Sequence, residues 1–277
     1  MQKAVIAILG GGNMGASLLG GLIANHYPRE NLWITDTDEE KLRNFHNQLQ
    51  VQTTTDNQKA VQHADVIILA VKPNIFSELL ANLSSTIQKK KPLIISIAAG
   101  VRVDTIQQGL GGELAIVRTM PNTPALIGCG ATALFANEFV TEDQRDIAES
   151  ILRAVGLTVW IKEEKQMDVV TALSGSGPAY FFLMIEALAD AAEELGLSPE
   201  MAKLLTLQTA YGSSRMALES NHSAVELRKK VTSPGGTTEA AVQVLEESLL
   251  RDILKRTLLA AVKRSEELAS IPSTLNR

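Results

Sequence analysis

An apolar run over residues 3–9 ends in Gly10-Gly-Gly-Asn-Met-Gly15, and a helical pattern follows over residues 16–25. Few features restrict a fold as strongly. Glycines at this spacing, between a strand and a helix, mark the turn of a βαβ unit in a parallel sheet. Gly10 makes the tight turn, Gly12 lets backbone approach a pyrophosphate, and Gly15 allows the helix to pack closely on the strand. The helix start beyond them is a natural anion site. Gly10, Gly12, Asn13, Met14 and Gly15 are therefore candidate contacts to a dinucleotide. Without the flanking strand and helix, the same spacing would be only a glycine-rich turn.

The alternation continues along the chain. Strand patterns at 32–35, 65–71, 92–97, 115–118, 131–135 and 157–161 are interleaved with helical ones, as in a mostly parallel α/β sheet. Thr37-Asp-Glu-Glu40 and Thr141-Glu-Asp-Gln144 read as capping boxes that open helices, and Gly156 is expected to close the second helix as a C-cap. From about Glu164 the strand signals stop. Helical patterns rich in alanine and leucine take over at 178–195, 199–219, 224–231 and 238–269, with Ser198-Pro199 marking one start. The expected division is an α/β domain over residues 1–163 and an all-helical domain over 164–277. Many of these helices are apolar around most of their circumference and must be buried. A helical domain of about 110 residues has too little interior to hide them all, so a homodimer sharing this helical core is expected.

Composition excludes other classes. A net charge of −5 gives no electrostatic case for nucleic acid or an anionic membrane, and Lys89-Lys90-Lys91 reads as a solvated helix end. The single cysteine, Cys129, excludes an internal disulfide and fits a reducing compartment. No apolar run reads as a membrane span and no signal peptide precedes the first strand, so a cytoplasmic protein is expected. The four histidines lie outside every motif, and no metal site is expected.

Several strand ends describe a ligand groove. Asp36 follows the second strand, where an acid accepts hydrogen bonds from the ribose hydroxyls of NADH and repels the 2′-phosphate of NADPH. With Asp38, Glu39 and Glu40 beside it and Arg43 the first arginine to follow it, it favours NADH, unless it merely begins the turn. Ala70-Val-Lys-Pro73 turns away at Pro73, leaving Val71 and Lys72 facing the groove. Ser96-Ile-Ala-Ala-Gly100 supplies the small residues Ala98 and Ala99 beside a flat ring, and Met120-Pro-Asn-Thr-Pro124 presents Asn122.

Two stretches lie beyond. Leu173-Ser-Gly-Ser-Gly-Pro-Ala-Tyr180, with Ser176, reads as an N-capping turn that also places hydroxyls and helix-terminal N–H groups near the junction of the halves. Val231-Thr-Ser-Pro-Gly-Gly-Thr-Thr-Glu-Ala-Ala241 reads either as a loop closing into a helix capped by Thr237 or Thr238, or as a neutral cradle for a small anion such as a carboxylate.

This ordered set of motifs resembles the pyrroline-5-carboxylate reductases over essentially the whole length, the last stretch being the most specific. The resemblance implies a Rossmann-type N-terminal domain and an all-α C-terminal dimerisation domain. It further implies an interlocked dimer that often assembles into a decamer, and NADPH or NADH as cofactor. The small-molecule substrate would be 1-pyrroline-5-carboxylate, reduced to proline in the last step of proline biosynthesis. Asn57, after the short third strand, resembles the family's adenosine-side contact, and Thr238 the hydroxyl that meets the substrate ring nitrogen. Many relatives carry a Ser or Asn-Arg pair around residues 35–37 to hold the 2′-phosphate; Thr35-Asp36-Thr37 stands here instead. On this basis Ser233 and the N–H groups of Gly235, Gly236 and Thr237 would hold the carboxylate. Glu164 would either touch the product amine or be a solvated linker residue. A related 3-hydroxyacid dehydrogenase would need a lysine on the first long helix, and residues 178–195 contain none. A non-catalytic NAD-binding protein would have no use for Ser233 to Thr238.

Overall fold

The apolar runs form strands buried on both faces in the computed structural model of the chain, which describes residues 3–270 apart from the side chain of residue 270. In chain order these are β1 (Ile6–Leu9), α1 (Asn13–Ala24), β2 (Leu32–Thr35), α2 (Glu39–Leu49), β3 (Gln52–Thr54), α3 (Asn57–His63) and β4 (Val66–Leu69). Next come α4 (Phe76–Lys90), β5 (Leu93–Ser96), α5 (Val103–Leu110), β6 (Ile116–Met120), β7 (Gly130–Ala136), α6 (Glu142–Arg153), β8 (Gly156–Trp160) and α7 (Gln166–Val170). The helical part follows as α8 (Gly177–Glu194), α9 (Pro199–Glu219), α10 (Ala224–Lys230), α11 (Thr237–Glu247) and α12 (Leu250–Ser270).

The strands make one eight-stranded sheet in the order β3-β2-β1-β4-β5-β6-β7-β8. Every neighbouring pair is parallel except β6 with β7, which run antiparallel. The chain starts in the middle and winds outward both ways, so β1 and β4 flank the reversal point, at whose carboxyl edge such sheets bind ligands. Strand alternation divides the apolar side chains between two cores. Ile6 and Ile8 join Leu18, Leu19 and Leu152 on one face, while Ala7 and Leu9 join Leu80, Leu83 and Ile106 on the other. Each of the leucine and isoleucine side chains, fully buried, contributes about 1.5–3 kcal/mol. This is the mostly parallel Rossmann-type sheet expected.

Several local expectations give way to stronger competitors. Asp38, not Thr37, caps α2, because its carboxylate accepts from both the Glu40 and Lys41 N–H groups. The Thr141–Gln144 capping box forms with both of its halves present. Gly156 opens β8 at φ +147° instead of closing α6, and a Cβ there would lie 2.1 Å from the Gly130 carbonyl oxygen. Neither α3 nor α5 stood out in the sequence. The pattern over 238–269 is two helices, α11 and α12, separated at Leu249, whose φ is +58°.

By compactness the described residues form two units: those up to Ser176 together with those from Ala261 onward, and Gly177–Ala260. The expected boundary stood at 163/164. Within the first unit, the end of α12 is pinned where the Ser265 hydroxyl donates to the buried Asp168 carboxylate at 2.7 Å. In the second unit α8 packs on α9, yet Gly177 and Ala202 are the only buried residues along those two helices, and α10 and α11 have none. Phe182 is 63 % exposed and Leu204 60 %. Contrary to the sequence reading, one helical stretch, Gln166–Glu194, is long and apolar enough to cross a membrane. The same length and composition suit a helix that buries its faces against protein.

Candidate active site

The glycine turn fits a dinucleotide. Gly10 sits at φ +111°, and a Cβ there would come within 2.6 Å of the Ala70 carbonyl oxygen, so the ends of β1 and β4 can meet only around glycine. A Cβ on Gly15 would lie 2.1 Å from the Gly10 carbonyl oxygen, which makes Gly15 the residue that lets α1 close on the turn. At Gly12 a Cβ would meet nothing within 4 Å, so space opens in front of its backbone. Gly12 is the N-cap of α1 and supplies no side-chain cap. The N–H groups of the first turn, from Asn13 and Met14, thus have no acceptor in their own helix. Ala70 and Val71 continue beyond β4, and Lys72 precedes a short 3-10 turn that starts at Pro73.

Beside the glycine turn, Asp36 is not alone. Its Oδ2 accepts from the Gly11 N–H at 3.1 Å and from Lys41 Nζ at 2.9 Å, and its Oδ1 accepts from the Asp38 N–H at 3.1 Å. Burial raises the pKa of this carboxyl. The Lys41 hydrogen bond, the Asp38 N–H, the Lys41 charge and the Gly11 N–H together outweigh burial and hold it below the ordinary aspartate value. Asn57 opens α3 instead of lying in a loop, and its Oδ1 accepts from the Thr35 hydroxyl at 2.5 Å. Lys41 escaped the sequence reading, which weighed acids and arginines. Its position in the first turn of α2, five residues after Asp36, is the signal that could have found it.

Ala98 is buried and Ala99 exposed where β5 ends. The Asn122 side chain ties two segments together, donating to the Ser174 carbonyl at 3.0 Å and accepting from the Ala131 N–H at 2.8 Å. Ser174 lies in a π-helical turn, Thr171–Gly175, that continues from α7. The Ser-Gly-Ser-Gly stretch is therefore a bulge in a continuing helix, not an N-capping turn. Ser176 has helical dihedrals, and its N–H donates to the Thr171 carbonyl. Pro178 has no N–H to return to the preceding turn, and Asn122 serves the Ser174 carbonyl from outside the helix. Glu164 is no solvated linker residue: its Oε1 accepts from Arg118 Nη1 at 2.8 Å and from the Val103 N–H at 2.9 Å. The Arg118 side chain is only 3 % exposed.

In the second unit, the Ser233–Thr238 loop is held by its own groups. Gly235 takes φ +71°, the left-handed region open to glycine, and its N–H donates to the Glu239 carboxylate at 2.7 Å. The Gly236 N–H donates to the Ser233 carbonyl at 3.0 Å, and α11 then begins at Thr237. Neither threonine caps the helix; the N-cap is Gly236, without a side-chain bond. Two of the three N–H groups expected to hold an anion thus already have acceptors. Thr238 is half-buried and Ser233 exposed. Nearby, Glu246 accepts from Arg228 and Arg251, joining α10, α11 and α12 within this unit.

The family profile described as pyrroline-5-carboxylate reductase dimerisation matches residues 164–268, and one described as NADP oxidoreductase, coenzyme F420-dependent, matches residues 5–100. The chain is 44 % identical to the pyrroline-5-carboxylate reductase of Pseudomonas aeruginosa, across 97 % of this chain and 98 % of that one. A solved pyrroline-5-carboxylate reductase structure from Coxiella burnetii superposes with a TM-score of 0.94 at 48 % identity, covering 97 % of this chain and 99 % of that one. That of a Plasmodium falciparum pyrroline carboxylate reductase with NADP bound has a TM-score of 0.85 at 32 % identity, covering 98 % of this chain and all of that one. With the dimerisation profile over residues 164–268 and near full-length relatives at this identity, the chain belongs to the pyrroline-5-carboxylate reductase family.

Proposed function

We propose that this chain reduces 1-pyrroline-5-carboxylate to proline with NADPH or NADH, and that the Ser233–Thr238 loop binds the substrate. The observation that carries the reading is the near full-length kinship with reductases of this name, joined to a glycine turn whose open face fits a pyrophosphate. The substrate is a cyclic imine bearing one carboxylate. Its reduction requires a hydride on the imine carbon and a proton on the nitrogen. The nicotinamide cofactor supplies the hydride when bound; the chain supplies binding, orientation and proton placement.

Gly10, Gly12 and the first turn of α1 hold the pyrophosphate. Ala98 and Ala99 leave room for the nicotinamide ring, and Asp36 and Asn57 lie towards the adenosine. Ser233 and the Thr237 N–H receive the substrate carboxylate. A carboxylate reaching Gly235 takes the place of the one Glu239 already provides there. The Thr238 hydroxyl bonds the ring nitrogen and positions its proton. Asn122 and Glu164 act one step back, Asn122 by holding the turn at Ser174 and Glu164 by fixing Arg118. Because Lys41 neutralises Asp36, this acid does not by itself favour NADH over NADPH. The assembly we propose is a homodimer through α8–α12, supported by the dimerisation profile and by the exposed apolar side chains of those helices. The same sedimentation run that tests the dimer reads any decamer.

The 3-hydroxyacid dehydrogenase alternative still lacks its base, since α8 contains no lysine. The test is oxidation of NADH and of NADPH dependent on pyrroline-5-carboxylate, run side by side. Turnover with at least one cofactor is expected, and none with either overturns the reading.

A further inference from the structure

We propose that Lys41 determines cofactor specificity: its ammonium group neutralises Asp36 and meets the 2′-phosphate of NADPH, so the cleft accepts both NADPH and NADH. This rests on the dinucleotide reading of the glycine turn. An acid alone after the second strand accepts the ribose hydroxyls and repels a phosphate dianion. Here Asp36 is bound on both oxygens, by the Gly11 N–H and Lys41 on one and by the Asp38 N–H on the other. At Asp36 the phosphate therefore meets an ion pair of zero net charge.

The Lys41 side chain is 40 % exposed and that of Asp36 14 %, so the lysine is the more accessible partner to a group arriving from solvent. An ammonium carries three protons, and Asp36 takes one of them at 2.9 Å. The neighbouring residues leave this role to Lys41. Arg43, the next cation in the chain, lies back on α2 with its Nε towards the Glu39 carbonyl at 3.4 Å. The Thr35 hydroxyl is committed to Asn57, and the Asp38 carboxylate to the start of α2. Phosphate recognition by one lysine is a point-charge interaction, without the planar geometry an arginine would impose. That suits a site which must also take a cofactor lacking the phosphate.

The test is calorimetric binding of adenosine 2′,5′-bisphosphate and of 5′-AMP to the full chain, unaltered and as Lys41→Met and Lys41→Arg. The unaltered protein is expected to bind the bisphosphate more tightly than 5′-AMP. Lys41→Met should weaken the bisphosphate by about tenfold or more, the scale of one charge-assisted hydrogen bond. Binding of 5′-AMP should hold within about twofold, because 5′-AMP lacks the group Lys41 contacts. Lys41→Arg should keep the preference, and kcat/KM for NADPH relative to NADH should fall in Lys41→Met alone. Equal weakening of both ligands, no weakening, or no preference in the unaltered protein overturns the assignment and leaves Lys41 as a structural partner of Asp36. If neither ligand binds the unaltered protein, the nucleotide reading falls and the Lys41 assignment with it.

Discussion

The sheet and the long helices use the same material to opposite ends. Every residue of β1, β4 and β5 is buried, between helices that the same chain lays on both faces. In α8, a helix with Phe181, Phe182, Leu183 and Leu188 in series, only Gly177 is buried and each of those four is at least 60 % exposed. A continuous apolar run can therefore make a self-sufficient core or an uncovered surface. What decides is whether the chain itself provides the covering layer. The βα alternation does so, because each crossover returns a helix over the strand just made. The helices of the second unit receive no such layer from the sheet, and in the assembly proposed above a second copy supplies it. The loop read as the substrate site, Ser233–Thr238, also lies on the unit without a core of its own.

That contrast can be broken in four places. Removing the hydroxyl in Thr238→Ala should lower kcat/KM by about 10²- to 10⁴-fold while circular dichroism stays unchanged; activity within a few-fold of the unaltered enzyme would take Thr238 out of the chemistry. Ile68→Ala, at a site of 0 % exposure in the sheet, should cost about 2–5 kcal/mol in urea unfolding, whatever the protein concentration. Phe182→Ala should instead act on assembly, weakening the dimer by about 1–2 kcal/mol, with a deficit that grows on dilution in sedimentation. A loss independent of concentration would mean the helical unit has a core after all. The smallest effect concerns Asp36. Its carboxyl is held below the ordinary value, so its contribution to stability is complete above the unfolded pKa and is lost as pH falls through the lower folded one. Asp36→Asn should flatten that acid limb by less than about 1 kcal/mol, the scale of a partly exposed ion pair, as read from urea midpoints between pH 3 and 6.

Features governed by local rules were legible in the sequence. The glycine turn, the strands and the Thr141–Gln144 box each depend on residues a few positions apart. Where two local rules compete, the outcome is harder to read. Thr37 and Asp38 can both cap a helix, and Asp38 prevails by accepting two N–H groups. The break at Leu249 carries no glycine or proline to announce it. Least legible are the long-range partners. Asn122 reads as a groove residue, yet its amide spans from Ala131 to Ser174, and Glu164 reads as either a substrate contact or a linker residue, yet it meets Arg118 and Val103.

By itself the sequence determined the βα alternation, the glycine turn and the motif order that together identify the family, because periodicity and turn chemistry act within a few residues. The tertiary structure alone decided which group satisfies each polar atom: Lys41 on Asp36, Asn122 on Ser174, Glu239 on Gly235. It alone decided, too, which apolar faces stay uncovered. A buried donor or acceptor must find a partner, but it takes whichever one the fold brings near, and that nearness is set by packing across the whole chain.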